Sequence, residues 1–251
     1  MGQAALITGG AQRIGRSIVE RVAREGYAVA IHCNRSVSEA EALATRIRSE
    51  GGAAGVVQAD LADASAVSGL MERAAGVVGP LTLLVNNASE FEPDEIQTLS
   101  EARWDRHFAI NLRAPAFLAR DFARQLPAGQ DGCIINIADQ RVWKPTPQFF
   151  SYTLTKAALF TATQTMAQAL APRIRVNAIG PGPTLANERQ GSEDFARQSA
   201  AILLGHGGTP DEIADAVIFL ARSRSITGQM IAVDGGQHLA WQTPDVFGVR
   251  E

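Results

Sequence analysis

The sequence predicts an α/β protein built as a doubly wound parallel sheet with helices on both faces. Three observations predict it. Short apolar runs alternate with helical stretches along the whole chain. The runs are apolar at nearly every position, not at every second one, as in strands buried on both faces. The first run opens into a turn of small residues that leads into a helix.

Residues 4–8 form the first strand. The helix after it carries Ile14, Ile18, Val19 and Val22 on one face and stops at Gly26. Residues 28–33 are the second strand, and 38–50 a helix ended by Gly51 and Gly52. A third strand over 54–58 precedes a helix over 64–75, and a fourth over 81–85 precedes a long helix over about 105–125. The remaining strands are 132–137, 174–178 and 230–233, with helices over 151–170 and 211–221. Unbroken strand–helix alternation implies a single Rossmann-type domain spanning residues 1–251. Only residues 180–208, bounded by glycine and proline, interrupt it. That length suits an active-site lid or a plain surface insertion.

Composition narrows the function. The 251 residues are 46% hydrophobic and 20% charged, enough apolar material for one well-buried core. A net charge of −3 gives no basic excess to neutralise a nucleic-acid backbone. No apolar run approaches the roughly 18 residues of a membrane span, and the amino terminus runs into a strand without a signal peptide. Two cysteines, Cys33 and Cys133, suggest no disulfide framework, so a cytoplasmic protein is expected. The four histidines, His32, His107, His206 and His238, have no metal-ligand spacing, and no metal is expected.

The first turn reads Thr8-Gly9-Gly10-Ala11-Gln12-Arg13-Ile14-Gly15. Small residues let backbone approach a pyrophosphate, and the helix that follows offers free N–H groups and a positive dipole end. At the end of the second strand, an enzyme using NAD usually places an acid to accept from the ribose hydroxyls. Here the residues are His32-Cys33-Asn34-Arg35-Ser36, with no acid. The planar fork of Arg35 can pair with a 2′-phosphate, and Ser36 can add a hydroxyl donor, which favours NADPH. A solvated surface arginine is the plain alternative.

Tyr152 and Lys156 lie one turn apart near the start of a helix, on one face. A phenol beside an ammonium can hand over a proton as hydride arrives on a substrate. Together with Thr8-Gly9, Gly15, Asn86-Asn87-Ala88, Asn111 and Pro181-Gly182, this chain resembles the short-chain dehydrogenase/reductase family over nearly its whole length. The resemblance implies that Gly9, Ile14, Gly15, Asn86, Asn87, Ala88, Pro181, Gly182 and Thr184 border the cofactor. It implies that Asp60 and Leu61 lie by the adenine, Lys156 holds the nicotinamide ribose, and Asn111 supports a water relay behind Lys156. It also implies a homotetramer.

Two departures from the family pattern narrow the resemblance. Arg13 stands where a glycine is usual, and Asp139 where a serine is usual, thirteen residues before the tyrosine. Both are similar to the pteridine reductase subgroup, as are His32-x-Asn34-Arg35-Ser36 and Asn87-Ala88-Ser89-Glu90-Phe91. In that subgroup Arg13 would reach cofactor phosphate and pterin, Ser89 would contact the cofactor and substrate, and Phe91 would stack on the pterin. Phe149 sits where the subgroup tends to have another aromatic. The expected substrate is therefore a pterin-like small molecule, reduced at a ring C=N with Asp139, Tyr152, Lys156 and Asn111 as catalytic residues. A general carbonyl or 3-oxoacyl-thioester reductase is the alternative. A cofactor-binding sensor that has lost catalysis fits poorly with retention of Asn111, Tyr152 and Lys156. The tail after Gly236 could close an active site or cover a subunit interface.

Overall fold

Successive strand residues point to opposite faces, so a strand that is apolar throughout needs cover on both sides. The computed structural model, which describes residues 2–186 and 191–243, provides that cover. Seven strands, β1 (Ala4–Ile7), β2 (Ala28–Cys33), β3 (Ala54–Gln58), β4 (Leu83–Asn86), β5 (Gly132–Ile137), β6 (Ile174–Pro181) and β7 (Met230–Val233), form one sheet in the order β3-β2-β1-β4-β5-β6-β7. Every pairing is parallel, with Ile7 opposite both Ile31 and Val85.

Ala5 and Ile7 of β1 point to one face. There they meet α1 (Arg13–Arg24), α2 (Val37–Ser49) and α9 (Pro210–Arg222) through Ile18, Val22, Leu43, Ile213 and Val217. Ala4 and Leu6 point to the other face. They meet Leu70 and Met71 of α4 (Leu70–Val78) and Leu118 and Phe122 of α6 (Ala114–Gln125). Also on that side are α3 (Ala64–Val67), α5 (Glu101–Phe108) and α7 (Phe150–Leu170). The doubly wound sheet is as the sequence predicts. Because β1 is flanked by β2 and β4, the direction of winding reverses between β1 and β4. A crevice opens at that point, beyond the carboxyl ends of the strands.

Several boundaries differ from expectation for local reasons. The helix expected over 64–75 is two helices, because Gly69 takes a left-handed φ of 78° between them. The long helix begins earlier, at Glu101, where the Ser100 hydroxyl accepts from the Arg103 N–H and caps it. It is then interrupted by a π-turn, Ala109–Arg113. Pro115 has no N–H to give to the Asn111 carbonyl, so the α ladder cannot run through there. The sixth strand extends to Pro181 rather than stopping at 178. Residues 180–208 include α8 (Ser192–Ala200); residues 187–190 of that segment, and 244–251 of the tail, lie outside the described residues. No described helix is long and apolar enough to cross a membrane.

The first turn tolerates no side chain at Gly15, where a Cβ would lie 2.0 Å from the Gly9 carbonyl oxygen and 2.6 Å from Asn87 Nδ2. Gly76, on the exposed side of α4, has open space around it. Gly15→Ala is expected to cost about 1–3 kcal/mol through overpacking. Gly76→Ala is expected to gain about 0.5–1 kcal/mol from reduced backbone entropy in the unfolded chain. Thermal melts of the two variants check this, and an equal response in both would contradict the placement of the turn.

Candidate active site

The crevice begins at the first turn. Thr8 Oγ1 accepts from the backbone N–H groups of Asn87 (2.9 Å) and Ala88 (3.0 Å). Asn87 Nδ2 donates to the carbonyls of Thr8 (2.9 Å) and Gly9 (3.0 Å). These bonds tie the end of β1 to the end of β4, so the turn and the strand-end residues move as one piece. Gly9 itself has φ 61°, open to glycine at no cost.

Arg13 follows with φ 52°, one of two non-glycine residues in the left-handed region among those described. That conformation costs an arginine about 1–2 kcal/mol, and such strain collects at functional positions. A glycine, usual at this place, would adopt it freely. The Arg13 guanidinium crosses the crevice and donates to the carbonyls of Leu185 and Ala186, each at 3.2 Å.

At the end of β2, His32 is buried. Its Nδ1 accepts from the Gly9 N–H (3.1 Å) and its Nε2 faces the Ala59 carbonyl (3.1 Å). Burial holds its pKa down at about 4, so the ring stays neutral. Both nitrogens are spent inside the protein. His32 therefore shapes the turn from beneath. Leu61 is likewise a core side chain, packed with Val67 and Leu70, and only its backbone can face the crevice. Asn86 is also buried, donating to Asn136 Oδ1 at 2.8 Å. Asn34 is partly buried and Arg35 is exposed. Ser36 occupies the N-cap of α2, yet its hydroxyl makes no cap bond. Asp60 is partly buried, with Oδ1 accepting from the Ala62 N–H at 2.9 Å.

Beyond the turn lies a cleft of about 660 Å³. It brings together Arg13, Ile14, Asn87, Ser89, Phe91, Asp139, Phe149, Tyr152, Lys156, Pro181, Gly182 and Thr184, all expected from the sequence. Gln140, Arg141 and Gln237 also line it. The sequence reading missed them. Only the closeness of Gln140 and Arg141 to Asp139 could have pointed to them, while Gln237 follows β7 with no signal.

Asp139 ends the loop after β5, and Tyr152 and Lys156 come from the first turns of α7. The Tyr152 hydroxyl donates to Asp139 Oδ2 at 2.8 Å, while Asp139 Oδ1 accepts from the Arg141 N–H at 2.8 Å. Burial, then the adjacent carboxylate, raises the phenol pKa well above its usual value. Burial also raises that of Asp139, against the lowering effect of its two hydrogen bonds. Lys156 Nζ donates to the Ile137 carbonyl at 2.7 Å and stands 5.6 Å from the Tyr152 ring centre. Burial lowers its pKa to about 8. The charge that lowers the phenol pKa here is Arg141, not Lys156. Burial and Asp139 outweigh it, keeping the phenol protonated.

Asn111, on the π-turn, accepts from the Glu90 N–H (2.8 Å) and donates to the Glu90 carbonyl (3.0 Å) and Thr155 Oγ1 (3.2 Å). It touches neither Tyr152 nor Lys156 through a direct bond. Its observed work is to hold the loop after β4, where Ser89 Oγ also reaches it at 3.2 Å. That loop presents Phe91, whose ring lies parallel to Phe149 (centroids 4.2 Å, interplanar 6°) and edge-on to Tyr152 (4.6 Å). Phe149 is the second left-handed residue, with φ 56°. The Arg141 guanidinium lies 4.9 Å from the centre of its ring.

Comparison with known proteins agrees with this arrangement. A family model described as enoyl-(acyl carrier protein) reductase matches residues 9–238. A solved structure described as FolM alternative dihydrofolate reductase 1 from Brucella canis, complexed with NADP, is 57% identical. Its TM-score is 0.95, with 97% of each chain covered. An uncharacterized oxidoreductase of Methylorubrum extorquens is 35% identical over 94% of this chain and 97% of its own. The 3-oxoacyl-[acyl-carrier-protein] reductase FabG of Staphylococcus aureus is 32% identical over 95% of this chain and 99% of its own. With a parallel seven-stranded sheet and tyrosine and lysine one turn apart at its carboxyl edge, the chain belongs to the short-chain dehydrogenase/reductase family and is an oxidoreductase.

Proposed function

We propose that the protein reduces a pteridine, oxidised or dihydro, at a ring C=N bond, using NADPH. The observation that carries the reading is the Asp139 carboxylate on the Tyr152 hydroxyl, beneath the Phe91 ring. The 57% identical Brucella canis dihydrofolate reductase complexed with NADP supports it.

The crevice fits a dinucleotide with a 2′-phosphate. Gly15 lets the start of α1 approach the Gly9 carbonyl more closely than a side chain would allow, Ser36 keeps an unspent hydroxyl at a helix start, and Arg35 is exposed beside it. When bound, NADPH supplies the hydride. Gly9, Arg13, Ile14, Gly15, Asn87, Ala88 and Ser89 would hold its pyrophosphate and neighbouring groups. Asn34, Arg35 and Ser36 would hold the 2′-phosphate, and Asp60 with the Leu61 backbone the adenine. Lys156, Pro181, Gly182 and Thr184 would hold the nicotinamide end.

Phe91 offers a flat apolar surface for a heterocycle, with Phe149 covering its other face. Tyr152 keeps its proton at neutral pH and can donate it to a ring nitrogen. Asp139 has lone pairs left for a pterin N–H or amino group, which is why a carboxylate suits this substrate. Arg13 and Ser89 would complete the substrate contacts. Reduction of a 3-oxoacyl thioester or other carbonyl compound is the competing reading, favoured by the FabG relatives. It is weakened by an anionic group placed where charge on a carbonyl oxygen would develop. The segment 180–208 would act as the lid, with Arg13 donating to the carbonyls of Leu185 and Ala186 in its described first part. The exposed Phe117 and Phe219 give apolar surface that a homotetramer would cover. Free, buried Cys33 and Cys133 suit a reducing cytoplasm.

Steady-state NADPH oxidation with a dihydropterin, folate and an acetoacetyl thioester tests the reading. The dihydropterin is expected to have the highest kcat/KM. In Asp139→Ser that value falls by at least ~10²-fold while ketone reduction falls less, as expected for loss of a positioned acid–base group. Undiminished pterin reduction in Asp139→Ser would favour the carbonyl reading.

NADPH is expected to be preferred over NADH by at least about tenfold in kcat/KM, and Arg35→Asp to reverse much of that preference. Equal efficiency with the two cofactors in the unmutated enzyme would refute the role of Arg35.

Lys156 is charged below about pH 8 and neutral above it. The ammonium orients the ribose hydroxyls, so kcat/KM for NADPH, which reports ionisations of the free enzyme, is expected to fall as pH rises through about 8. A profile flat to pH 10 would contradict it.

A further inference from the structure

Beside the cleft lies a buried polar cluster that the proposed chemistry does not use. Asp94, Ser151 and His107 are 3%, 0% and 0% exposed. They come from three separate places: the loop after β4, the second position of α7, and the last turn of α5. Their protons can be assigned. The Glu92 backbone N–H can only donate, and it reaches His107 Nε2 at 3.2 Å, so Nε2 is the acceptor nitrogen. Nδ1 therefore carries the hydrogen and donates to Ser151 Oγ at 2.6 Å. The Ser151 hydroxyl in turn donates to Asp94 Oδ2, and the Ser151 backbone N–H donates to Asp94 Oδ1 at 3.1 Å. The Phe150 N–H reaches the Asp94 carbonyl at 3.2 Å.

The cluster resembles a hydrolytic Ser-His-Asp set in composition only. There the imidazole takes a proton from the serine and the acid holds the imidazole. Here the imidazole donates to the serine and the acid holds the serine, so the hydroxyl is not activated. Burial holds the His107 pKa down, which keeps this direction. Asp94, Glu90 and Glu92 act the other way on it and Arg103 with burial.

The placement supplies a different use. α7 is preceded by Phe149, whose side chain makes no cap bond. The first two free N–H groups of the helix, those of Phe150 and Ser151, go instead to Asp94, a remote residue. Tyr152 is the next residue. The same loop carries Phe91, and the Glu92 N–H fastens it to His107. One carboxylate thus joins the segment bearing the stacking ring to the helix turn bearing the proton donor.

We infer that Asp94, Ser151 and His107 are positioning residues that set the Tyr152 phenol against Phe91, and so against the substrate. The inference rests on the reading of Tyr152 as proton donor and Phe91 as stacking surface. It does not depend on whether the substrate is a pterin or a ketone.

The test compares Asp94→Ala, Asp94→Asn and Ser151→Ala with wild type. NADPH affinity is measured by calorimetry. kcat and KM are measured with whichever compound wild type reduces best. Displacing the donor by a fraction of an ångström is expected to lower kcat by roughly tenfold or more in Asp94→Ala, with NADPH affinity within about twofold, because Arg35, Ser36 and the first turn are untouched. Asp94→Asn keeps an acceptor for the Ser151 N–H and is expected to recover part of that loss. Ser151→Ala keeps the helix cap and removes only the hydroxyl link, so it folds even if Asp94→Ala does not, and is expected to lose kcat by several-fold. The inference is overturned if Ser151→Ala and Asp94→Asn both keep wild-type kcat, or if NADPH affinity falls in step with kcat. Failure of wild type to reduce any pterin would instead sink the pterin reading and leave this test intact.

Discussion

The hydrogen bond from the Tyr152 hydroxyl to Asp139 organises the site. It joins the loop after β5 to the first turn of α7, at the carboxyl edge of the sheet. Its electrostatic effect is larger than its energy. A carboxylate beside a buried phenol penalises the phenolate, so the proton stays on oxygen until a substrate nitrogen needs it. Arg141 opposes this, but burial and Asp139 outweigh it. A serine in place of Asp139 would remove that charge and leave burial as the main influence holding the phenol protonated. Acid or serine at one position therefore changes how firmly this scaffold holds the phenol proton.

Around that bond the backbone is arranged under strain. The two non-glycine residues with left-handed φ among those described, Arg13 and Phe149, both line the same cleft. Each is held by neighbours: Arg13 by the carbonyls of Leu185 and Ala186, Phe149 by its contacts with Phe91 and Arg141. The strain is affordable because the sheet beneath is rigid, with Leu6, Ile7, Ile31 and Leu84 fully buried. A well-packed core at the strand interiors allows irregular backbone at the strand ends.

The strands, their parallel sense and the pairing of Tyr152 with Lys156 were legible because each is a local pattern, whereas Asp139 stood out only through resemblance to a family subgroup. Apolar runs mark strands buried on both faces, and a four-residue spacing marks one helix face. What was not legible depends on geometry between distant segments. His32 and Arg35 are near neighbours, yet one turns beneath the first turn and the other into solvent, and spacing does not show which. The break at Gly69 and the π-turn before Pro115 lie inside convincing helical runs. The link from Asp94 to Ser151 and His107 spans 57 positions in the chain, and none of the three residues belongs to a recognisable motif.

The chain contains only two tyrosines, Tyr27 and Tyr152, so the phenol can be watched directly. Carbon-13 labelling of the tyrosine ring, with Tyr27→Phe to assign the signals, would follow the ionisation of Tyr152 by nuclear magnetic resonance. The account predicts that Tyr152 is still protonated at about pH 10, the ordinary midpoint of a phenol, and that Asp139→Ser brings its titration down. A Tyr152 signal titrating well below that midpoint in the unmutated protein would contradict it, because the lysine rather than the carboxylate would then govern the proton.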